Sequence, residues 1–130
     1  MLSTGGNVYV KKSKIRGAGR GVFASRDIVK GEVIEICPII EIPVHDTANL
    51  KESILVTYFF FYGKKKERAL IALGKGSIYN HSYEPNAKYT INLKDKTIVF
   101  VALSDIKANK EITFNYKHGN PKNKDPLWFE

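Results

Sequence analysis

The stretch that most constrains this chain runs Ser77-Ile78-Tyr79-Asn80-His81-Ser82-Tyr83-Glu84-Pro85-Asn86. Asn, His, Ser, Pro and Asn fall within the seven positions from 80 to 86, which makes a poor strand and a poor helix. Asn and Ser side chains compete for nearby backbone groups, and proline withholds a donor. Inside a small domain such a run persists only where its donors and acceptors find partners. Taken alone it reads equally as a satisfied buried turn and as a ligand site. His81 by itself reads more readily as a structural histidine than as a catalyst or metal ligand.

Around this run apolar alternation dominates over helical periodicity, so the expected fold is mainly β. Val8-Tyr9-Val10 is a short first strand, and Gly17-Ala18-Gly19-Arg20-Gly21 is a glycine-rich turn leading into Val22-Phe23-Ala24. Lys30-Gly31-Glu32 reads as a tight turn before a long strand from Val33 to Ile42, interrupted by Pro38. His45 to Glu52 is polar and suits one short helix or a loop, with Asp46 as N-cap. Val56 to Tyr62 is aromatic and β-prone, and the lysine run after Gly63 reads as an exposed turn. Ala69 to Leu73 is another strand. Lys88 to Leu93 and Thr97 to Val101 flank Lys94-Asp95-Lys96 as a hairpin, and Glu111 to Tyr116 makes the last strand. A tail rich in Pro and Lys follows.

A chain of 130 residues with 43% hydrophobic content builds one compact core, so we expect a single domain over 1–130, with the core at about 8–116 and a tail at 117–130. The lone cysteine, Cys37, excludes an intrachain disulfide and a four-cysteine zinc cluster. His45 and His118 lack a neighbouring ligand pattern, so no metal is expected. The first seven residues have neither the charged start nor the apolar run of a signal peptide. No apolar stretch approaches the roughly 18 residues of a membrane span. Together these point to a cytoplasmic or nuclear location, or delivery to a host nucleus if the source is a pathogen, and to no membrane partner. The balance of 21 Lys and Arg against 13 Asp and Glu gives +8. Lys11-Lys12-Ser13-Lys14-Ile15-Arg16 and Lys64-Lys65-Lys66 form clusters, with Lys117, Lys122 and Lys124 more loosely spaced. Such a surface attracts anionic partners, nucleic acid among them, although most surface lysines simply solvate a face.

Read in isolation, the Gly19-Arg20-Gly21 turn is a weak signal: it lets a backbone approach a ligand, but no helix pattern follows it as a dinucleotide fingerprint requires. Lys110-Glu111-Ile112-Thr113-Phe114-Asn115-Tyr116 is an alternating strand whose closing tyrosine is usually core. In this order and spacing the three segments resemble the SET-domain family of protein lysine methyltransferases. Gly19-Arg20-Gly21-Val22-Phe23-Ala24 is similar to the family's first motif. Asn80-His81-Ser82 with Pro85-Asn86 is similar to its signature of NHS, two residues, then PN. Glu111 to Tyr116 resembles the strand that ends in the family's catalytic tyrosine. The resemblance runs from about Val8 to Trp128 and is similar to the short, stand-alone members found in a large DNA virus and in bacteria.

The resemblance implies a fold of small curved β-sheets with few short helices, in which a knot-like threaded C-terminal segment crosses the chain around Asn80. It implies an S-adenosylmethionine-dependent protein-lysine N-methyltransferase that releases S-adenosylhomocysteine and needs no metal. Gly19, Arg20, Gly21, Asn80, His81 and Trp128 are the implied cofactor-binding residues, Trp128 by packing on the adenine. Tyr116 is the implied catalytic residue, orienting the methyl group and the amine rather than acting as a strong base. Tyr58 and Tyr89 are the implied walls of the substrate channel, and residues 59–69 an insert bearing on substrate choice. The implied partner is a lysine-containing protein or peptide, a histone or other basic tail by analogy, with homodimerisation also implied; secondary nucleic-acid contact is what the basic surface suggests. The chain departs from the family at Asn109-Lys110-Glu111, where relatives often carry Gly-Glu-Glu; Asn tolerates the left-handed turn that glycine favours. Ser82 is followed by Tyr83 where many relatives have cysteine. Two other readings stand beside this one: a SET-like protein- or chromatin-binding module without catalysis, and a basic β-rich nucleic-acid-binding domain.

Overall fold

The computed structural model describes residues 7–47, 49, 52, 58–62 and 68–116. Nine strands among them make two sheets. The first contains β1 (Val8–Lys12), β2 (Arg20–Ala24), β9 (Glu111–Phe114) and β6 (Asn80–His81), in the order β1-β2-β9-β6. The second contains β4 (Phe59–Tyr62), β5 (Arg68–Ala72), β3 (Val33–Ile42), β8 (Thr97–Ala102) and β7 (Ala87–Asn92), in the order β4-β5-β3-β8-β7. All the strand pairs are antiparallel except β6 with β9, which run parallel. The class is the mainly β one expected.

The alternation that marks the strands is the alternation that builds the core. In β8 every second residue, Ile98, Phe100 and Ala102, is buried, as period-2 geometry requires of a sheet with one face inward. Tyr79, Tyr89, Phe100 and Phe114 pack as one aromatic cluster: Tyr79 stacks on Phe100 at 4.5 Å between ring centroids, and Phe100 on Phe114 at 5.4 Å. Val8, Val22, Ile28, Ile34, Leu70, Ile98 and Ile112 are among the residues packed around it. Lys94-Asp95-Lys96 does turn the β7–β8 hairpin, with Lys96 at φ 57° and Asn92 accepting the Asp95 N–H at 3.0 Å. Asn109 takes φ 71°, the left-handed conformation its type permits.

Two sequence expectations need correction. Pro38 does not interrupt β3, which runs unbroken from Val33 to Ile42. Val33 to Pro38 pair with β8 and Ile39 to Ile42 with β5, so the proline sits where the strand changes partners and its missing N–H costs little there. The polar stretch opens with a 3-10 turn over Val44–Asp46, and Thr47 and Asn49 after it are helical; the helix that Asp46 would cap lies largely outside the described residues. The last strand also stops at Phe114, short of Tyr116. The lysine run at 64–66 and the tail at 117–130 lie outside the described residues. The expected crossing sets the segment around Asn80 beneath Glu111 to Tyr116, and of it the β6–β9 pairing is what stands described.

Candidate functional site

The polar run is held by β9. Asn80 and His81 pair with Thr113 and Phe114, and the Ser82 N–H donates to the Phe114 carbonyl at 3.1 Å. Where the strand can no longer continue, Asn86 takes its place: its amide donates to the Glu111 carbonyl at 2.9 Å, and its Oδ1 accepts the Thr113 N–H at 2.9 Å. One asparagine side chain thus satisfies both edges that a strand residue would, which is how a segment of poor β-formers stays packed.

The glycine turn is fastened to the same place. The Asn80 amide donates to the Arg20 carbonyl at 2.9 Å and to Glu111 Oε2 at 2.7 Å, while Ser13 Oγ donates to Glu111 Oε1 at 2.6 Å. Ser13 also closes the turn at its base, its N–H donating to the Gly19 carbonyl at 2.7 Å. Gly21 lies against this network so closely that a Cβ there would stand 2.8 Å from Glu111 Cδ and 3.0 Å from Asn80 Nδ2. Gly19 is the opposite case: φ is +74° and nothing lies within 4 Å of where a side chain would begin. The turn therefore presents bare backbone to open space on one side while its other side is pinned.

Tyr116 is clamped at both ends to the polar run. Its backbone N–H donates to His81 Nδ1 at 3.0 Å, and its hydroxyl donates to the Tyr79 carbonyl at 2.7 Å. Its ring lies 5.1 Å from His81 and 5.3 Å from Phe114. Burial first, then the neighbouring Tyr58 and Glu111, push its hydroxyl above the ordinary phenol range, so it stays protonated at neutral pH. Tyr89 is 8% exposed, its ring edge-on to Phe60 at 5.0 Å and to Phe114 at 5.2 Å, and burial alone raises its hydroxyl pKa. Tyr58, by contrast, is 36% exposed at the start of β4.

Arg20, Gly21, Asn80, His81 and Tyr116 are thus brought together by direct bonds or close approach, with Gly19 adjoining. Tyr58 and Tyr89 lie next to this group, the first electrostatically coupled to Tyr116 and the second packed against Phe114. Trp128 lies outside the described residues. Sequence reasoning missed Ser13 and Glu111 as the latch on the turn, and Tyr79 as the acceptor for Tyr116. Nothing local marks Ser13, which meets Glu111 across 98 residues of sequence. Among the described residues no cluster of His, Cys, Asp and Glu is arranged to hold a metal, and no helix is long and apolar enough to cross a membrane.

Two small sheets whose irregular segments lock together beside a pinned glycine turn define a β fold of a particular kind. Residues 19–117 match the SET domain, and the chain belongs to the SET-domain family. It is 31% identical over 113 residues, 86% of this chain and 71% of the relative, to the H3 lysine-37-specific histone-lysine N-methyltransferase of Schizosaccharomyces pombe. Among solved structures it is similar to a Plasmodium falciparum protein assigned as a histone methyltransferase, with a TM-score of 0.66 and 32% identity over 95% of this chain and 97% of that one. It is also similar to the Chaetomium thermophilum Polycomb Repressive Complex 2 bound to S-adenosylmethionine, with a TM-score of 0.70 and 26% identity. That match covers 86% of this chain and only 15% of the larger one.

Proposed function

We propose that this chain is an S-adenosylmethionine-dependent protein-lysine N-methyltransferase acting on a histone or another basic protein tail. Membership of the SET family and the identity with a histone-lysine N-methyltransferase support the reaction class. The observation that carries the assignment to this site is the double clamp on Tyr116, whose N–H and O–H both engage the Tyr79–His81 segment.

The residues present suit the cofactor. The bare backbone face at Gly19 leaves room for a ligand to approach main-chain groups, and the Asn80 bond to the Arg20 carbonyl fixes that face relative to His81. Gly19, Arg20, Gly21, Asn80 and His81 would hold S-adenosylmethionine, with Trp128 as the aromatic cover from the tail. When bound, the cofactor supplies a methyl group already activated by its sulfonium, so neither a metal nor a covalent intermediate is required of the chain.

What the chain must do is deliver a neutral lysine amine in line and hold it there. A free lysine has a pKa of about 10.4, so burial in an apolar channel must favour loss of its proton before attack. Tyr58 and Tyr89 are the walls of that channel in this reading, Tyr89 limiting how many methyl groups fit. Tyr116 keeps its own proton and therefore works as an oriented hydrogen-bonding group, not as a base. Positioning of this kind removes much of the entropic barrier of a two-body reaction.

The test is methyl transfer from labelled S-adenosylmethionine to core histones and to a whole-cell extract. Label on discrete bands that disappears in Tyr116→Phe, while the variant still binds cofactor, is the expected result. Unchanged turnover in Tyr116→Phe overturns the role given to that residue. Cofactor binding without transfer by the wild type to any protein favours the binding-module reading, and absence of cofactor binding removes the enzyme reading altogether.

A further inference from the structure

The reaction uses the Gly19–Gly21 end of the β1–β2 ribbon but leaves the rest of it unexplained. From Asn7 to Ser25 the chain carries Lys11, Lys12, Lys14, Arg16 and Arg20 and no Asp or Glu. All of these cations are exposed, and among the described residues none of them is paired with a carboxylate. Glu111, which reaches the base of the turn, is committed to Ser13 and Asn80. The field over the ribbon is therefore positive and uncompensated.

The placement also exceeds what protection of a sheet edge requires. β1 is an edge strand, and lysines on it discourage pairing with another chain. That accounts for Lys11 and Lys12. It does not account for Lys14 and Arg16, which stand in the connection, or for Arg20, which stands on the inner strand.

We infer that the tip and edge of the β1–β2 ribbon are a docking surface for duplex DNA, engaged through its phosphates. Five residues of strand extend about 16 Å, and a duplex presents about one charge per 1.7 Å of axis, so three or four of these cations reach phosphates at once. The ribbon offers no free aromatic face for unstacked bases: Tyr9 stacks on Phe23 at 5.8 Å, and the Lys11 ammonium sits 4.8 Å from the centre of the Phe23 ring. Single strands are gripped by stacking as well as charge, whereas this ribbon supplies charge alone. Backbone contact of this sort fixes position without reading sequence. Because the Arg20 carbonyl is bonded to Asn80, DNA held on the ribbon lies alongside the candidate site. The surface then favours lysines presented on a DNA-bound protein over the same lysines in a free peptide, a consequence that rests on the methyltransferase reading.

The test compares the wild type with a ribbon variant, Lys12→Gln with Lys14→Gln and Arg16→Gln, which spares Lys11 and Arg20. A second variant, Lys88→Gln with Lys94→Gln and Lys107→Gln, removes the same charge from exposed positions elsewhere. Binding of a 20-base-pair duplex is followed by anisotropy across salt concentrations, and methyl transfer is followed on nucleosomes and on a histone peptide. The slope of log affinity against log salt should fall by about 3 in the ribbon variant and stay near wild type in the second. Transfer to nucleosomes should drop at least roughly tenfold in the ribbon variant, with transfer to the peptide unchanged, since about three phosphate contacts are lost. Equal slopes in all three proteins, equal loss in both variants, or ribbon-dependent binding of polyglutamate in place of the duplex would each overturn the proposal. If the slopes behave as expected but no protein is methylated, the DNA surface stands and the enzymatic reading falls.

Discussion

Gly21→Ala is the smallest change that tests how the site is assembled. The new methyl group would lie 2.8 Å from Glu111 Cδ and 3.0 Å from Asn80 Nδ2, so the Glu111 carboxylate has to leave. With it go the bonds from Ser13 Oγ at 2.6 Å and from the Asn80 amide at 2.7 Å. Hydrogen bonds to a charged group contribute about 1.5–3 kcal/mol each, and the partly exposed setting puts these at the low end. Asn80 keeps its bond to the Arg20 carbonyl, so the total loss should be about 2–4 kcal/mol, or roughly 8–16 °C in Tm for a domain of this size. Urea denaturation followed by circular dichroism should show a lower midpoint with an unchanged slope. The sharper check is a double-mutant cycle. Glu111→Ala removes the same bonds and opens the space the methyl group needs, so the double variant should be no less stable than Glu111→Ala alone. A coupling of about 2 kcal/mol is expected between them, against about 0.5 kcal/mol for independent sites. Additive losses would refute the steric reasoning, and with it the claim that glycine is required at 21 because of the Glu111 latch.

Asn86→Ala should destabilise by about 2–4 kcal/mol, because it strands the Glu111 carbonyl and the Thr113 N–H together, while Asn86→Asp keeps the acceptor and should cost less; thermal melts decide it. Tyr79, Tyr89 and Tyr116 all have hydroxyl pKa values raised chiefly by burial, so the unfolded chain releases these protons above about pH 10 while the folded chain retains them. Stability should therefore be level below that pH with respect to these groups and fall by about 4 kcal/mol per pH unit above it. In a spectrophotometric titration, three of the seven tyrosines should ionise only as the protein unfolds, and early ionisation of all seven would be inconsistent with the burial described. Cys37 is buried, and burial followed by the adjacent Glu35 carboxylate raises its thiol pKa, so it should react with a disulfide reagent only at the rate of unfolding, measured with and without urea.

The fold was legible wherever a strand alternates over five or six residues. β7 and β8 are of this kind, and even the left-handed turn at Asn109 follows from residue type. Pro38 misled because its effect depends on which neighbour each half of β3 pairs with, and that is a tertiary fact. The candidate site was legible as a set of motifs but not as a mechanism of assembly. Asn80, His81 and Tyr116 stand out through the resemblance of their motifs to the SET family, whereas Ser13 is an ordinary serine in a lysine run and Glu111 an ordinary exposed-looking acid. Their bond spans nearly the whole chain, and no local pattern encodes it. Tyr79 contributes to Tyr116 through its backbone carbonyl, which every residue type possesses, so sequence could not have singled it out.

The order β1-β2-β9-β6 has a consequence for how the protein is made. The hairpin from Val8 to Ala24 and the sheet from Val33 to Ala102 contain only elements that leave the ribosome early. β9 follows all of the other described strands in the chain, yet it is the strand that joins the hairpin to Asn80 and His81. Tyr9 and Asn109 meet across 100 residues, so their contact must wait until the segment between them has been made. Pairings of such long range are slow because loop closure precedes their reward. Until β9 is in place the hairpin has no strand between it and Asn80 and His81, and the core lacks Ile112 and Phe114, so the first sheet and the core are completed together.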